Sequence, residues 1–214
     1  MDTKKNVPVP LRVAIYLAGV VTVSLGIVLC KKCNLGISPI SSVPFVVEIF
    51  TPISFGMLTM LFHFINTGLQ LILMRKVSLW VLLQIPLAFV FGWVIDFLNK
   101  IVQFDSGIVV NQVLALIFSV LFTAFGMLLM LGMDLVQNPP DGTVKLIAEK
   151  CGREVGQIKI FYDITCVVLS VSIGLIVLHR VEGIGIATIV SAIFVGRVLT
   201  WLRMLVSKLQ RKQN

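Results

Sequence analysis

Six apolar runs, each about 20 residues long, constrain the fold of this 214-residue chain more than any other feature. A bilayer core about 30 Å thick needs roughly 20 residues of helix to cross it. Backbone in lipid must also satisfy its hydrogen bonds within its own segment, which a helix does. Each run is therefore predicted to be a membrane-spanning helix, and the six predicted spans are residues 11–30, 53–74, 79–98, 110–132, 160–178 and 184–202.

The composition fits a chain whose solvent is lipid. Hydrophobic residues make up 57% of the chain and charged residues only 13%, whereas soluble domains have about 25% charged residues. In water such a chain would expose large apolar patches, so soluble enzymes and secreted disulfide scaffolds are poor fits. The net charge of +8 comes from basic residues beside the apolar runs. It therefore predicts contact with a lipid bilayer and no binding of nucleic acid.

The distribution of basic residues predicts the orientation of the spans. If the N-terminus is cytoplasmic, 13 lysines and arginines fall on the inside and 4 on the outside, with Arg197 inside the sixth span. Short cytoplasmic loops of membrane proteins carry an excess of Lys and Arg. Both termini are therefore predicted to be cytoplasmic, and the first apolar run is predicted to be a retained span.

The two halves of the chain resemble each other at an offset of 100 residues, which becomes 104 in the third span of each half. The matches with most weight are Gly26 with Gly126, Pro39 with Pro139, Gly56 with Gly156, and Gly92 with Gly196. Because each half has three spans, the second half enters the membrane from the opposite face. The predicted fold is an all-α membrane protein of six transmembrane helices in an inverted 3+3 repeat, with halves 1–108 and 109–214.

Each half is predicted to break after its first span and restart as a short helix. Residues 39–50 are apolar, but as a helix they would be about 18 Å long, too short to cross the bilayer. Residues 140–153 include several charged side chains, and this segment is predicted to form an amphipathic helix on the cytoplasmic surface. A basic C-terminal tail is predicted to follow the last span. Ser38 and Asn138 each precede a proline, a combination that is typical of a helix start.

These helix starts are the first candidate binding elements. A helix N-terminus presents unpaired N–H groups and partial positive charge, which suits an anion. Asp134, close to the second break, would instead favour a cation. An alternative interpretation is that both breaks are ordinary loops followed by capped interfacial helices.

Polar side chains within the spans are the second set of candidates, because a charge at the bilayer centre costs about 2.5–3.5 kcal/mol. Arg197 is expected to pair with Asp163 or Asp96. The alternatives are a structural ion pair and, for His63, an ordinary hydrogen-bonded interior residue. Together, the hypothetical substrate-binding residues are Asn34, Ser38, Asp134, Asn138, His63, Asn66, Asp163 and Arg197.

Three motifs point to a known family. They are Asn-Leu-Gly-Ile-Ser-Pro at 34–39, Phe-Gly at 55–56, and Gln-Asn-Pro-Pro-Asp-Gly at 137–142, set within the three-span repeat. With these motifs the sequence resembles the YczE/YyaS/YitT group of bacterial multi-pass membrane proteins, and within it the YczE-like branch. The resemblance implies a location in the bacterial inner membrane. It implies the fold more than the function, because the activity of this group is poorly defined.

The leading functional hypothesis is a small secondary transporter or exporter of a small solute, with an anionic solute favoured by the helix starts. A second hypothesis is an accessory protein that acts on a partner through basic residues such as Lys145 and Lys150. A third is a membrane thiol oxidoreductase that uses Cys30 and Cys33. The sequence contains no familiar catalytic, metal-binding or cofactor motif, so neither an enzyme nor a cofactor is predicted. A homodimer is left open.

Overall fold

The computed structural model of the protein describes residues 8–103 and 107–211, and this part of the chain consists of helices joined by short loops, without strands. Its helices are α1 (Val9–Lys32), α2 (Pro39–Phe50), α3 (Phe55–Met74), α4 (Leu79–Leu82), α5 (Gln84–Ile101), α6 (Val109–Met133), α7 (Pro139–Cys151), α8 (Val155–Ile173) and α9 (Ile186–Arg211). A π-helical turn, Gly174–Leu178, extends α8. The basic tail was predicted to run to residue 214, and its last three residues lie outside the described part.

Six segments of this described chain are long and apolar enough to cross a membrane: α1, α3, α4 with α5, α6, α8 with its π turn, and α9. The predicted all-helical fold with six spans is thus confirmed. The fifth span begins at Val155, five residues before the predicted start, and Lys159 is consequently a helix residue. Glu154 is the N-cap of α8, and the charged residues after it project from the first turns of the helix.

Both ends of the described chain lie at the same end of the bundle. The guanidinium of Arg12, near the start of α1, donates a 2.7 Å hydrogen bond to the carbonyl oxygen of Met133 at the end of α6. The amide of Ala187, at the start of α9, donates to the carbonyl oxygen of Leu35 just after α1. We call the end where α1 begins and α9 finishes the terminal end, and the opposite end the far end.

The helices α1 and α6 cross closely at glycines. A Cβ added to Gly19 would lie 2.9 Å from the carbonyl oxygen of Gly126, and one added to Gly26 would lie 2.8 Å from that of Ser119. Residues 19 and 119, like 26 and 126, are 100 positions apart, the offset of the predicted repeat. The same contact is therefore made twice across the crossing point, where small residues let the backbones approach.

The two short helices insert into the bundle, and each packs against a span of the other half: α2 against α8, and α7 against α3. The hydroxyl of Ser42 donates a 3.3 Å hydrogen bond to the carbonyl oxygen of Cys166, and that of Thr143 a 3.2 Å bond to the carbonyl oxygen of Asn66. Asn66 and Cys166 are again 100 residues apart. The packing of the halves on each other thus follows the offset found in the sequence.

The second short helix was predicted to lie on the cytoplasmic surface, and one of its faces packs against protein. In α7, Gly142, Thr143, Val144 and Ala148 are buried against protein, whereas Lys145 is exposed. The helix is amphipathic as predicted, but its apolar face covers α3 and α8 instead of lipid.

A buried pair of amides joins α3, α5 and the start of α7. The side chains of Gln70 and Gln84 exchange two hydrogen bonds of 2.9 and 3.0 Å, and the Gln70 amide also donates to the carbonyl oxygen of Pro139 at 3.0 Å. Both side chains are almost fully buried. The pair fixes the end of α3 against the helix start that faces the centre of the protein.

We expect Gln70→Leu to lower the free energy of unfolding by about 1–3 kcal/mol, because it leaves the buried side-chain N–H group of Gln84 without its acceptor. The midpoint of thermal unfolding in detergent measures this loss. The double variant Gln70→Leu/Gln84→Leu should lose less than the sum of the single losses, since it removes both partners together. Additive losses would contradict the exchange of hydrogen bonds as the source of stability.

Candidate functional site

A cavity of about 370 Å³ lies at the centre of the bundle, between the two predicted halves. Its walls are largely apolar, with side chains such as Val23, Met127 and Phe91. Four charged side chains also line it: Asp141, Lys145, Lys159 and Asp163. An apolar chamber of this size with a few polar groups is typical of sites for small organic molecules, which measure about 300–1,000 Å³.

The cavity opens at the terminal end and closes towards the far end. Among its lining residues, Val155 at the start of α8 is 50% exposed, whereas Asp163, two turns deeper, is 8% exposed. Ser191 and His63, at the greatest depth, are 6% and 4% exposed. A solute could therefore enter from the terminal end and would meet buried side chains such as His63 at the greatest depth.

Both helix starts lie at this cavity. Ser38 and Asn138 are the N-caps of α2 and α7, as their prolines predicted, and both line the cavity. The Ser38 hydroxyl donates to Ser41 at 3.0 Å, and the Asn138 amide donates to Asp141 at 3.2 Å. The short helices thus point their N-termini at one chamber from opposite ends of the bundle.

Two buried polar atoms at the cavity have no hydrogen-bond partner within the described chain. They are Nδ1 of His63 and Oδ1 of Asn138. The His63 ring packs edge-on against Phe91, with 5.4 Å between the ring centroids, and this contact holds the imidazole in place. Buried polar groups are rarely left unpaired, but both atoms lie within the cavity wall and are shielded from water.

An ion pair on α8 places a positive and a negative charge inside the cavity. Nζ of Lys159 lies 2.5 Å from Oδ1 of Asp163, one helical turn away. The Lys159 side chain is 34% exposed and that of Asp163 12%, so the lysine lies nearer the mouth. Lys145 and Lys159 were missing from the predicted site because both were assigned to the cytoplasmic surface. The sequence signal that could have placed Lys159 at the site is its i, i+4 spacing from Asp163, which is typical of an ion pair on one helix face.

Four of the predicted site residues do not line the central cavity. Three of them are Asn34, Asp134 and Asn66, and the fourth is Arg197. Asn34 and Asp134 stop α1 and α6 in the left-handed conformation, with φ of 57° and 49°, which Asn and Asp adopt more readily than most residues. Asn34 is exposed, and Asp134 lines a separate cavity beside α4 and α7. Asn66 is buried as predicted, but its Oδ1 accepts a 2.6 Å hydrogen bond from the Tyr162 hydroxyl. None of these three residues lines the central cavity.

The predicted pairing of Arg197 with Asp163 or Asp96 is wrong. Asp163 pairs with Lys159, and Asp96 accepts hydrogen bonds from the Ser54 hydroxyl and the Gly56 amide. Arg197 is on the exposed face of α9, where its guanidinium lies 5.9 Å from the ring centroid of Phe194. Contact with an aromatic face on the same helix is an alternative to a carboxylate partner.

The thiols of the oxidoreductase hypothesis are both buried. Cys30 and Cys33 are free cysteines that are 3% and 0% exposed. The Cys33 thiol donates to the carbonyl oxygen of Cys30 at 3.0 Å. A thiolate must reach its substrate to exchange disulfides, and neither sulfur is accessible in this conformation.

The fold defines a multi-pass α-helical membrane protein with a cavity among its helices. The chain belongs to a family of unknown function, DUF6198, which it matches over residues 10–204. No curated protein and no solved structure matches it.

Proposed function

We propose that the protein is a secondary transporter that moves a small solute across the bacterial inner membrane through the central cavity. The observation that carries this proposal is the meeting of both helix starts at one chamber, whose lining residues include the exposed Lys145 and Val155 at the terminal end. A binding chamber accessible from one side is what alternating access requires of a transporter in one of its states. We also propose that the family is related to the YczE-like proteins that the motifs resemble.

The paired contacts support an inverted repeat as the basis of this function. The α1–α6 crossing relates residues that are 100 positions apart, and the insertions of α2 and α7 relate Asn66 with Cys166, 100 positions apart, and Ser42 with Thr143, 101 positions apart. In transporters with inverted repeats, discontinuous helices lie at the interface of the repeats and point their termini at the substrate near the middle of the membrane. The N-termini of α2 and α7 have this arrangement.

The cavity favours a solute with an apolar body and a charged head group. Two helix N-termini and the ammonium groups of Lys145 and Lys159 attract an acidic group. Asp141 and Asp163 balance the two lysines, so a solute that also carries an amine is accommodated. We therefore propose a small organic acid or zwitterion as the substrate class.

Binding and flux test this function directly. Purified protein is heated with a panel of small organic acids, amines and zwitterions, and a solute that binds the folded state raises the unfolding midpoint. The best binder is then offered to proteoliposomes, where saturable uptake is expected. If no solute in the panel shifts the midpoint or crosses the membrane, and the protein instead copurifies with a stoichiometric partner, the accessory role replaces transport.

We expect the terminal end to be cytoplasmic, and Cys151 reports its location. This residue ends α7 at the terminal end and is an exposed thiol, whereas Cys30, Cys33 and Cys166 are buried. A membrane-impermeant maleimide should label inverted membrane vesicles and leave intact cells unlabelled, and Cys151→Ser should abolish the label. Labelling of intact cells would place the terminal end outside the cytoplasm.

A further inference from the structure

The two halves carry the same pair of glycines, but only one pair is in contact. In the first half, Gly56 on α3 meets Gly92 on α5, where a Cβ added to Gly92 would lie 2.8 Å from the Gly56 carbonyl oxygen. The equivalent glycines of the second half are Gly156 on α8 and Gly196 on α9. A Cβ added to either would meet nothing within 4 Å. We call the contact of α3 with α5 the far slot, and the gap between α8 and α9 the terminal slot.

Two hydrogen bonds to Asp96 hold α3 against α5 at the far slot, and we call these two bonds the polar clasp. Ser54, the N-cap of α3, donates a 2.5 Å hydrogen bond to Oδ2 of Asp96 on α5, and the amide of Gly56 donates to Oδ1 at 2.8 Å. These bonds tie the first turn of α3 to the last turns of α5. The clasp lies at the far end, where the cavity is closed.

The terminal slot carries the groups for a matching clasp. The residues equivalent to Ser54 and Asp96 are Glu154, the N-cap of α8, and Thr200 on α9. The carboxylate and the hydroxyl have exchanged places, so the second pair still consists of one acceptor and one donor. At present Glu154 is exposed, and the Thr200 hydroxyl donates within its own helix to the Gly196 carbonyl oxygen at 2.9 Å.

The cavity connects the two slots. Lys159 on α8 and Gly196 on α9 line it at the terminal slot, and His63 on α3 and Phe91 on α5 form its wall at the far slot. An opening of α3 from α5 would therefore give this chamber a second entrance. That entrance would be at the far end, across the membrane from the one now open.

An ionic latch favours the state seen here. Lys31 pairs with Glu48 at 2.7 Å, and its ammonium lies 4.7 Å from the ring centroid of Phe55, next to the far slot. The equivalent residues of the second half are Leu131, Ala148 and Val155, which cannot form an ion pair. We thus expect the far slot to be closed in most molecules.

We infer that the cavity has two entrances that open in turn, the terminal slot in this structure and the far slot in an alternate state. In the alternate state Gly156 packs against Gly196, and the Thr200 hydroxyl donates to the Glu154 carboxylate, while α3 and α5 separate. This inference rests on the proposed transport function, and it specifies which helices move to expose the same chamber to the opposite side.

Crosslinking in the absence of solute tests the alternate state. In a Cys151→Ser background, whose remaining cysteines are buried, the pair Glu154→Cys/Thr200→Cys is treated in lipid nanodiscs with a short bifunctional thiol reagent. Crosslinking is expected, because molecules that close the terminal slot bring the two positions together. The matched control is Glu154→Cys/Val198→Cys, which should not react, since residue 198 faces nearly the opposite side of α9.

Two further substitutions should change the yield in opposite directions. Glu48→Gln removes the ionic latch, and we expect it to raise the crosslinking rate about threefold by populating the alternate state. Gly196→Leu should suppress crosslinking because the added side chain blocks the approach of α8. It should leave the unfolding midpoint near that of the parent protein, since the space at Gly196 is open in this structure.

The outcomes separate the gating inference from the transport function. Absence of crosslinking in protein that melts like the parent, or a yield that does not respond to Gly196→Leu, would overturn the two-entrance inference. A solute that crosses proteoliposomes without such crosslinking would keep transport and overturn the gate. Crosslinking that responds to both substitutions, with no flux of any solute tested, would keep the gate and count against transport.

Discussion

Gly26→Ala is expected to lower the free energy of unfolding by about 1–3 kcal/mol, the usual cost of forcing extra atoms into a well-packed core. The added Cβ would lie 2.7 Å from the backbone nitrogen of Thr123 and 2.8 Å from the carbonyl oxygen of Ser119. Backbone atoms cannot swing aside as a side chain can. The helices α1 and α6 would therefore have to separate along the most extensive helix contact of the protein.

The matched control for this prediction is Gly68→Ala. Gly68 is also inside a membrane-spanning helix, but a Cβ there would meet nothing within 4 Å. Because alanine favours helix over glycine by about 1 kcal/mol, this variant should be unchanged or slightly more stable. Thermal unfolding in detergent compares the two, and equal midpoints for both variants would show that α1 and α6 are not closely packed at Gly26.

Gly126→Ala extends the same prediction to the other half. Its Cβ would lie 2.6 Å from the backbone nitrogen of Val23 and 2.7 Å from the carbonyl oxygen of Gly19. The loss of stability should match that of Gly26→Ala, because the two glycines occupy equivalent places across the crossing. A large difference between the two variants would argue against equivalent packing of the halves.

Much of the fold could be predicted from the sequence because lipid allows few solutions. A run of about 20 apolar residues has to be a helix, and the prolines after Ser38 and Asn138 mark where the short helices begin. The position of α7 could not be predicted in this way. Its alternation of apolar and charged residues indicates two faces, but it cannot tell whether protein or headgroups cover the apolar face.

The candidate site was predictable where it depended on the repeat. Ser38 with Asn138, and His63 with Asp163, are equivalent positions in the two halves, and all four line the cavity. Arg197 was misplaced because one residue along a helix turns the side chain by about 100°. Gly196 lines the cavity and Arg197 beside it does not. A single sequence does not show which face of this helix points into the bundle.

The second large effect is expected on transport. Asp163→Asn should reduce the flux of the best-binding solute more than tenfold while shifting the unfolding midpoint little. Asp163 holds the Lys159 ammonium inside the cavity at 2.5 Å. Without this carboxylate, Lys159 can extend to the mouth, where its side chain is already 34% exposed. The solute would then lose both the fixed ammonium and the carboxylate.

The cost in stability should be small, because Lys159, 34% exposed, stays within reach of water when the carboxylate is removed. Glu182→Gln is the matched control: it removes an ion pair with Arg180 outside the cavity and should leave flux unchanged. Lys159→Gln should impair flux as Asp163→Asn does, and the double variant should be little worse than either, since the two side chains act as one unit. If Asp163→Asn lowered the midpoint strongly and left flux intact, the pair would serve to stabilise α8, and the solute would have to bind elsewhere in the cavity.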